Sequence, residues 1–359
     1  MSAPTITIED ATAPGRLVAP TARLALPAGD LNDPEYRLQW EQMRRLGIGG
    51  SDVAAILGLD KYRGPRHIYE AKHGREETRD TEAMEIGREI EDFIARMFSK
   101  RSGIPIATPP GTLAHVDHSW ALVNIDRYAL WDPEAGAIAG PVECKNRSEY
   151  QLEEWEEGAP DAPALQCHWG MAVGGFDIGY VAALIGGNKL RWHVVQRDEE
   201  MIAYLLDYCG TWYQQHVVEG FPPPVDGLEA TKDLLGRLWK VKPEVIAEID
   251  LRKAKDLRAR RADLKTQIKD LTYQATAVEN EMRDAAGSAE VVVVGAATAW
   301  TWKGNGNFSE ADFRKKYPDI AAKCTTTVEV LDMDRIKTDH SDEYNACRGR
   351  RLHVPAKEL

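Results

Sequence analysis

Apolar residues recur at helical spacing through EYRLQWEQMRRL, and a Gly-rich turn, GIGGSD, separates them from a second apolar run, VAAILGL. A helix is predicted on each side of the turn, the second capped by Ser51 or Asp52. HIYEAKHG reads as a third helix closed by Gly74. Met84, Gly87, Ile90, Glu91, Ile94, Met97 and Phe98 then share helical spacing in a longer element that Gly103 ends.

From residue 104 the period changes to that of strands. HSWALVNIDRYALWD and AIAGPVECKN, parted by the turn DPEAG, predict a hairpin. PALQCHWGMAVG predicts a helix following the sheet, and DIGYVAALIGG with KLRWHVVQRD a second hairpin around GGN. RDEEMIAYLLDYCGTWYQQHVVEG is a long amphipathic helix, stopped by Gly220 and by Pro222 to Pro224. An α/β core with a mixed central sheet flanked by helices is therefore expected over 35–225. Before it, residues 1–34 are rich in Ala, Pro and Thr without periodicity and read as a flexible leader.

Beyond 225 the pattern shifts again. A helical arm is expected over 226–286 and a small α+β tail over 287–359. In the arm, Leu257, Leu264, Leu271 and Val278 are seven apart, with Ile268 and Met282 on the neighbouring seam position. Arg261 and Ala275 interrupt that seam, which favours packing against the chain's own 229–240 helix and β tail over an independent coiled coil. The tail carries apolar strand candidates at 289–303 and 325–331, a helix around 309–322 and a last strand near RRLHV.

Composition narrows the class. The chain has 359 residues and a net charge of -12, which argues against a protein that merely coats nucleic acid. Yet residues 41–75 hold seven Lys/Arg against four acids, whereas 149–161 is acidic and reads as a solvated face. No apolar run approaches the roughly 20 residues that span a bilayer, and the N-terminus lacks a signal core, so a cytoplasmic location is expected. The five cysteines form no metal-type spacing and read as reduced, mostly buried thiols.

Chemistry concentrates in two strands. Side chains alternate along a strand, so Glu143 and Lys145 share a face while Cys144 points into the opposite layer; a hairpin can bring Asp126 beside them. Two carboxylates can hold a divalent metal, and an adjacent ammonium can orient or deprotonate water. A surface strand of alternating charge would show the same letters. Glu91 would be an odd choice amid Ile90, Ile94 and Met97 without a cation, although it can equally face solvent. Arg44 and Ser51 bracket the Gly-rich turn, where helix-terminal N–H groups favour an anion. Gln166 falls on the helix after the strand pair, where its amide can hold water or a phosphate, or serve at the surface.

The order of R-R-L-G-I-G-G-S-D-V-A-A-I-L-G, K-Y…K-H-G, G-R-E-I-E, N-I-D-R, V-E-C-K, L-Q-C-H-W-G-M-A-V-G-G and V-V-Q-R-D-E-E resembles, over roughly residues 40–215, the YqaJ-type viral recombinases. These are relatives of phage lambda exonuclease in the PD-(D/E)XK nuclease superfamily. The resemblance implies Asp126, Glu143 and Glu91 as metal carboxylates with the Cys144 carbonyl as a further ligand, Lys145 as the group activating water, and Gln166 beside the site. It implies Arg44 and Ser51 at a terminal 5′-phosphate, with Arg45 able to replace Arg44, and leaves in doubt His168, which stands where the family often has a second glutamine.

The implied activity is Mg²⁺-dependent 5′-to-3′ exonuclease digestion of double-stranded DNA ends, with Mn²⁺ able to substitute. It leaves 3′ single strands for a single-strand annealing protein in phage-type recombination, in a bacterial host. Ring-shaped trimers in the family imply a homo-oligomer. With no G-x-x-x-x-G-K-[ST] loop, ATP is not expected to be needed. An endonuclease or structure-specific nuclease of the same superfamily, and a non-catalytic DNA-end or partner-binding scaffold, are the competing readings.

Overall fold

The computed structural model describes residues 15–76, 81–239, 242, 245–304, 306–326, 330–348 and 352. The chain divides into two compact units, Met1–Lys240 and Val241–Leu359.

The first unit opens with a correction. Residues 15–34, expected as leader, contain strands β1 (Leu17–Ala19) and β2 (Ala22–Pro27). Val18, Ala19, Ala22 and Leu24 are buried, but the two strands are short and rich in alanine beside Pro20 and Pro27, which is why no strand signal shows in the sequence. Helices α1 (Pro34–Arg45), α2 (Gly50–Ile56), α3 (Pro65–Lys72) and α4 (Glu82–Ser102) follow where the periodicity places them, α4 ending at Gly103 in the left-handed conformation. The cap of α2 is Gly49 rather than Ser51 or Asp52; Asp52 instead accepts the Gly49 N–H from inside the first turn.

Strands β3 (Ile106–Ala107), β4 (Gly111–His115), β5 (Leu122–Val123), β6 (Arg127–Asp132) and β7 (Ala137–Arg147) come next. The single strand expected over HSWALVNIDRYALWD is thus two. Residues 122–123 join the antiparallel sheet β1-β2-β4-β5, and 127–132 join the central sheet. Helix α5 (Asp161–Gly174), strands β8 (Ile178–Ile185) and β9 (Lys189–Gln196), and helix α6 (Glu199–Trp212) complete the core where the pattern places them; α6 continues as a wider π-helical turn over Tyr213–Val218 before Gly220 ends it. The central sheet has the order β3-β6-β7-β8-β9, with β7 parallel to β8 and the other pairs antiparallel. It is the expected mixed α/β sheet between helices.

Each face of the sheet has its own core. On one, Cys144, Tyr180, Ala182 and Leu184 pack with Ile94, Ala95 and Phe98 of α4. On the other, Val181 and Ala183 meet Leu165, Cys167, Trp169 and Met171 of α5. Burial of the larger of these, such as Ile94, Phe98, Leu165 and Met171, stabilises by about 1.5–3 kcal/mol each. The unit runs past the expected boundary at 225 to include helix α7 (Glu229–Leu238), because Leu234 is buried and Arg237 pairs with Glu76 at 2.9 Å. The acidic stretch is solvated as expected, apart from the buried Trp155. Cys144, Cys167 and Cys209 are buried thiols, but Cys324 and Cys347 are exposed.

The second unit begins with helix α8 (Leu251–Ala286), capped by Asp250, and a hairpin of β10 (Val291–Val294) and β11 (Ala297–Thr301). Among the described residues, four short helices follow: α9 (Glu310–Lys316), α10 (Pro318–Lys323), α11 (Met333–Asp339) and α12 (Ser341–Ala346). The helix expected around 309–322 is broken at Tyr317, where Pro318 cannot continue the ladder. Of the strand candidate at 325–331, residues 327–329 lie outside the described residues and the other four form no strand, while the candidate near RRLHV lies almost wholly outside the described residues. Within its own unit the seam of α8 is exposed at Leu257 (47%), Leu264 (57%), Leu271 (63%) and Val278 (56%), so the β tail does not cover it as expected. Within this unit the helix is held at its C-terminal end, where Ala286 is buried and Trp300 Nε1 donates to the Met282 carbonyl at 3.1 Å. Among the described residues, no helix is long and apolar enough to cross a membrane.

Candidate active site

Strand β7 runs through the middle of the central sheet, and its alternation sorts three consecutive side chains. Cys144 faces α4, while Glu143 and Lys145 face α5. Lys145 Nζ donates to Glu143 Oε1 and to Gln166 Oε1 of α5, the latter at 3.1 Å. Asp126 immediately precedes β6, whose Arg127 is in register with Val142. Its Oδ2 accepts the Cys144 N–H at 2.7 Å, which fixes the carboxylate beside the Glu143 strand position. Glu91 reaches the cluster from α4 and meets Arg127 at 3.1 Å; the same guanidinium holds Asp92 at 3.1 Å. The structure therefore brings Asp126, Glu143, Lys145, Gln166 and Glu91 together, with Cys144 contributing its backbone.

The electrostatics show a surplus of carboxylates. Burial pushes Glu143 up to about 8, and the neighbouring Asp126 adds to it. Glu91 is pushed up to about 7 by burial and again by Asp126. Asp126 is raised by burial, which Lys145 only partly opposes. For Lys145, burial favours the neutral amine but Glu143 and Asp126 outweigh it, so the ammonium is held. Carboxylates that cannot all ionise side by side are a donor set for a hard cation. Among the described residues no three acidic, His or Cys side chains are already drawn around one metal position. Glu91 is turned to Arg127 and Glu143 to Lys145, the cations each has at hand.

A second charged cluster lies at the turn between α1 and α2, with the opposite balance. Asp52, 2% exposed, is surrounded by Lys72 Nζ at 2.6 Å, Arg44 at 3.6 Å and Arg63 at 4.0 Å. Burial alone would raise Asp52, but Lys72, Arg44 and Arg63 hold it well below the usual carboxylate range. Arg44, stacked over the Trp40 ring, also donates to Ser51 Oγ at 3.3 Å, and Arg63 donates to the Ser51 carbonyl at 2.7 Å. Arg44 and Ser51 thus stand together as expected, whereas the Arg45 guanidinium lies against Gly74 beyond the end of α3. Arg63, Lys72 and Asp52 are the members that sequence reasoning missed; the local excess of cations over 41–75 was their only signal.

The two clusters touch. A Cβ on Gly50, at the start of α2, would lie 3.0 Å from Gln166 Cγ, so this glycine lets α2 approach the helix that carries Gln166. The turn itself is anchored to β5: Ile48 N–H donates to the Trp120 carbonyl at 2.7 Å and Leu122 N–H to the Ile48 carbonyl at 2.9 Å. His168, two residues beyond Gln166, faces away from it into a groove lined by His193, Arg197 and Asp198, with its Nδ1 buried and unpartnered among the described residues.

Residues 39–177 match the model of the YqaJ-like viral recombinase domain, a span that holds every residue of both clusters. The YqaJ protein of Bacillus subtilis strain 168, itself uncharacterised, is 31% identical over 305 residues, covering 81% of this chain and 92% of that one. Among solved structures, an alkaline exonuclease from Laribacter hongkongensis is similar at a TM-score of 0.41 and 15% identity, over 51% of this chain and 93% of that chain. A phage-related exonuclease from Haemophilus somnus 129PT has a TM-score of 0.35 and 11% identity, over 50% and 99%. With a relative aligned along most of both lengths and the domain model spanning both charged clusters, the chain belongs to the YqaJ-like viral recombinase family.

Proposed function

We propose that this protein is a divalent-metal-dependent exonuclease that degrades double-stranded DNA from 5′ ends and leaves 3′ single strands for an annealing partner in phage-type recombination. The observation that carries this reading is the convergence of Asp126, Glu143, Lys145, Gln166 and Glu91 at one end of β6 and β7.

The donor set fits Mg²⁺ or Mn²⁺. Asp126 and Glu143 would hold the ion, with Glu91 released from Arg127 and the Cys144 carbonyl as further oxygen donors. The ion would supply positive charge to the scissile phosphate and make water a stronger acid. Lys145, kept charged by its carboxylate neighbours, orients the attacking water and stabilises charge as it develops on phosphate. Gln166 fixes the Lys145 ammonium. Arg44, Arg63 and Lys72 face two carboxylates, Asp52 and Asp60, the latter 3.6 Å from Arg63, and the remaining positive charge suits a terminal 5′-phosphate, to which Arg44 and the Ser51 hydroxyl would bond. No step calls for ATP, and a ring-shaped homo-oligomer enclosing DNA would give processivity.

The test is digestion of linear duplex carrying 5′-phosphate, with Mg²⁺ or EDTA, beside a closed circular duplex. Linear substrate should shorten only with metal and from 5′ ends, while the circle stays intact. Metal-dependent cutting of the circle would replace the exonuclease reading with the endonuclease one, and wild-type cleavage by Lys145→Ala would remove the site assignment.

A further inference from the structure

Within its own unit helix α8 leaves its apolar stripe uncovered, and its charges specify what can cover it. Assigned to a heptad, Leu257, Leu264, Leu271 and Val278 take the d positions, and Ala254, Arg261, Ile268, Ala275 and Met282 the a positions. The residues that flank such a seam, at e and g, are basic in the first half of the helix (Lys253, Arg258, Arg260, Lys265) and acidic towards the end (Glu279, Glu281). This split decides orientation. A parallel pair of identical helices would set Lys253 against Arg258, and Arg260 against Lys265, in each flank. An antiparallel pair, with Ile268 of one copy against Leu271 of the other, sets Arg258 against Glu279 and Arg260 against Glu281 twice over.

We infer that α8 is an antiparallel self-association helix whose partner is the same helix of a second copy of this chain. In this register every seam layer keeps an apolar partner: Leu264 lies over the small Ala275, and Leu257 over Met282. Arg261, the apparent flaw of the seam, lies over Val278, where its stem covers the apolar layer and its guanidinium reaches the rim. The surface is self-complementary under a two-fold axis, the condition for a closed isologous contact. A helix of 36 residues extends about 54 Å, enough for every layer from Leu257 to Met282 to pair. The pairs that Arg260 now makes with Asp256 and Glu279 with Arg283 lie within one helix turn at the surface, and exposed pairs of this kind exchange partners at little cost. This association involves no residue of the two charged clusters and is read out without cleavage.

Site-specific oxidation in the full chain distinguishes the arrangements. With the exposed Cys324 and Cys347 changed to Ser, a mixture of Leu264→Cys and differently tagged Ala275→Cys proteins should form a mixed disulfide dimer, while Leu264→Cys alone should not cross-link. Cross-linking of Leu264→Cys with itself would mean a parallel pair, and no cross-link in the mixture would mean that something other than a second copy covers the seam; either overturns the inference. Sedimentation of Arg258→Glu/Arg260→Glu should show self-association through the arm weakened at least about tenfold. Adding Glu279→Arg/Glu281→Arg to the same chain should restore it, and failure of that rescue would reject the charge-specified register.

Discussion

Two clusters of charge, one at the α1–α2 turn and one at the ends of β6 and β7, are built from Lys, Arg and carboxylates with opposite balance. At Asp52 three cations surround one carboxylate, which stays ionised far below its ordinary range. At Glu143 three carboxylates share Lys145 and Arg127, and two of them are pushed up to about 7 and about 8. The first cluster has positive charge left over and suits an anion; the second has negative charge left over and suits a cation. They meet through Gly50 and Gln166, and on the proposed function the first would take the phosphate of a nucleic-acid end while the second presents the next bond to a metal.

The largest effect should come from the carboxylate-rich cluster. Asp126→Asn, Glu143→Gln and Lys145→Ala should each lower metal-dependent cleavage by about a thousandfold or more with circular dichroism unchanged. Full activity in any of the three would break the comparison at its catalytic end.

The same acid-to-amide change should act differently at the other cluster. Asp52→Asn leaves Lys72, whose side chain is 5% exposed, without its counter-charge and should destabilise the fold by about 3–5 kcal/mol in denaturant titrations. Glu143→Gln, which relieves like-charge crowding, should change stability little. Equal losses in both variants would mean that the balance of charge is not what separates the clusters.

A smaller effect is expected for end recognition. Wild-type protein should degrade 5′-phosphorylated duplex faster than 5′-hydroxyl duplex, and Arg44→Ala should shrink that preference by about tenfold. Arg45→Ala should leave it, since Arg45 lies at Gly74. The reverse pattern would move the phosphate site.

The mildest prediction concerns protons. With folded values raised to about 7 for Glu91 and about 8 for Glu143, the metal-free folded protein binds more protons than the unfolded chain from near pH 4.5 up to those values. Its stability contribution is complete below that window and is lost as pH rises through it. Melting temperature without metal should therefore fall between about pH 5 and pH 8. Mg²⁺ should flatten the fall and release protons on binding, measurable by calorimetry in buffers of different ionisation enthalpy. A metal-free melting temperature that rises across this window would contradict the crowding of carboxylates.

What the sequence reveals of these clusters follows the range of the interactions. Glu143, Cys144 and Lys145 sort to their faces by strand alternation alone, so the centre of the site was legible. Glycines 103 and 220 marked helix ends because the left-handed conformation favours them. By contrast, Lys72 lies 28 positions from Arg44, and Arg127 lies 36 from Glu91; no local pattern pairs residues so far apart. Strands β1 and β2 were hidden because their buried positions include small alanines beside Pro20 and Pro27, which resemble a linker. The stripe on α8 was legible as a stripe, but periodicity carries no information about what lies against it.

The anchoring of Ile48 to both Trp120 and Leu122 has a thermodynamic consequence. A loop that must order itself around a phosphate surrenders conformational freedom at the moment of binding, roughly 0.5–1.5 kcal/mol for each long side chain immobilised. Here the backbone is already paired to β5, and Gly47 lies so close that a Cβ would sit 2.2 Å from the Trp120 carbonyl. Arg44 is likewise held by Trp40 and Ser51 before any ligand arrives. On the proposed 5′-phosphate reading most of the ordering entropy is therefore lost during folding, and an incoming chain end would meet a rigid receptor whose backbone amides around Ile48 should exchange slowly with solvent even in the free protein.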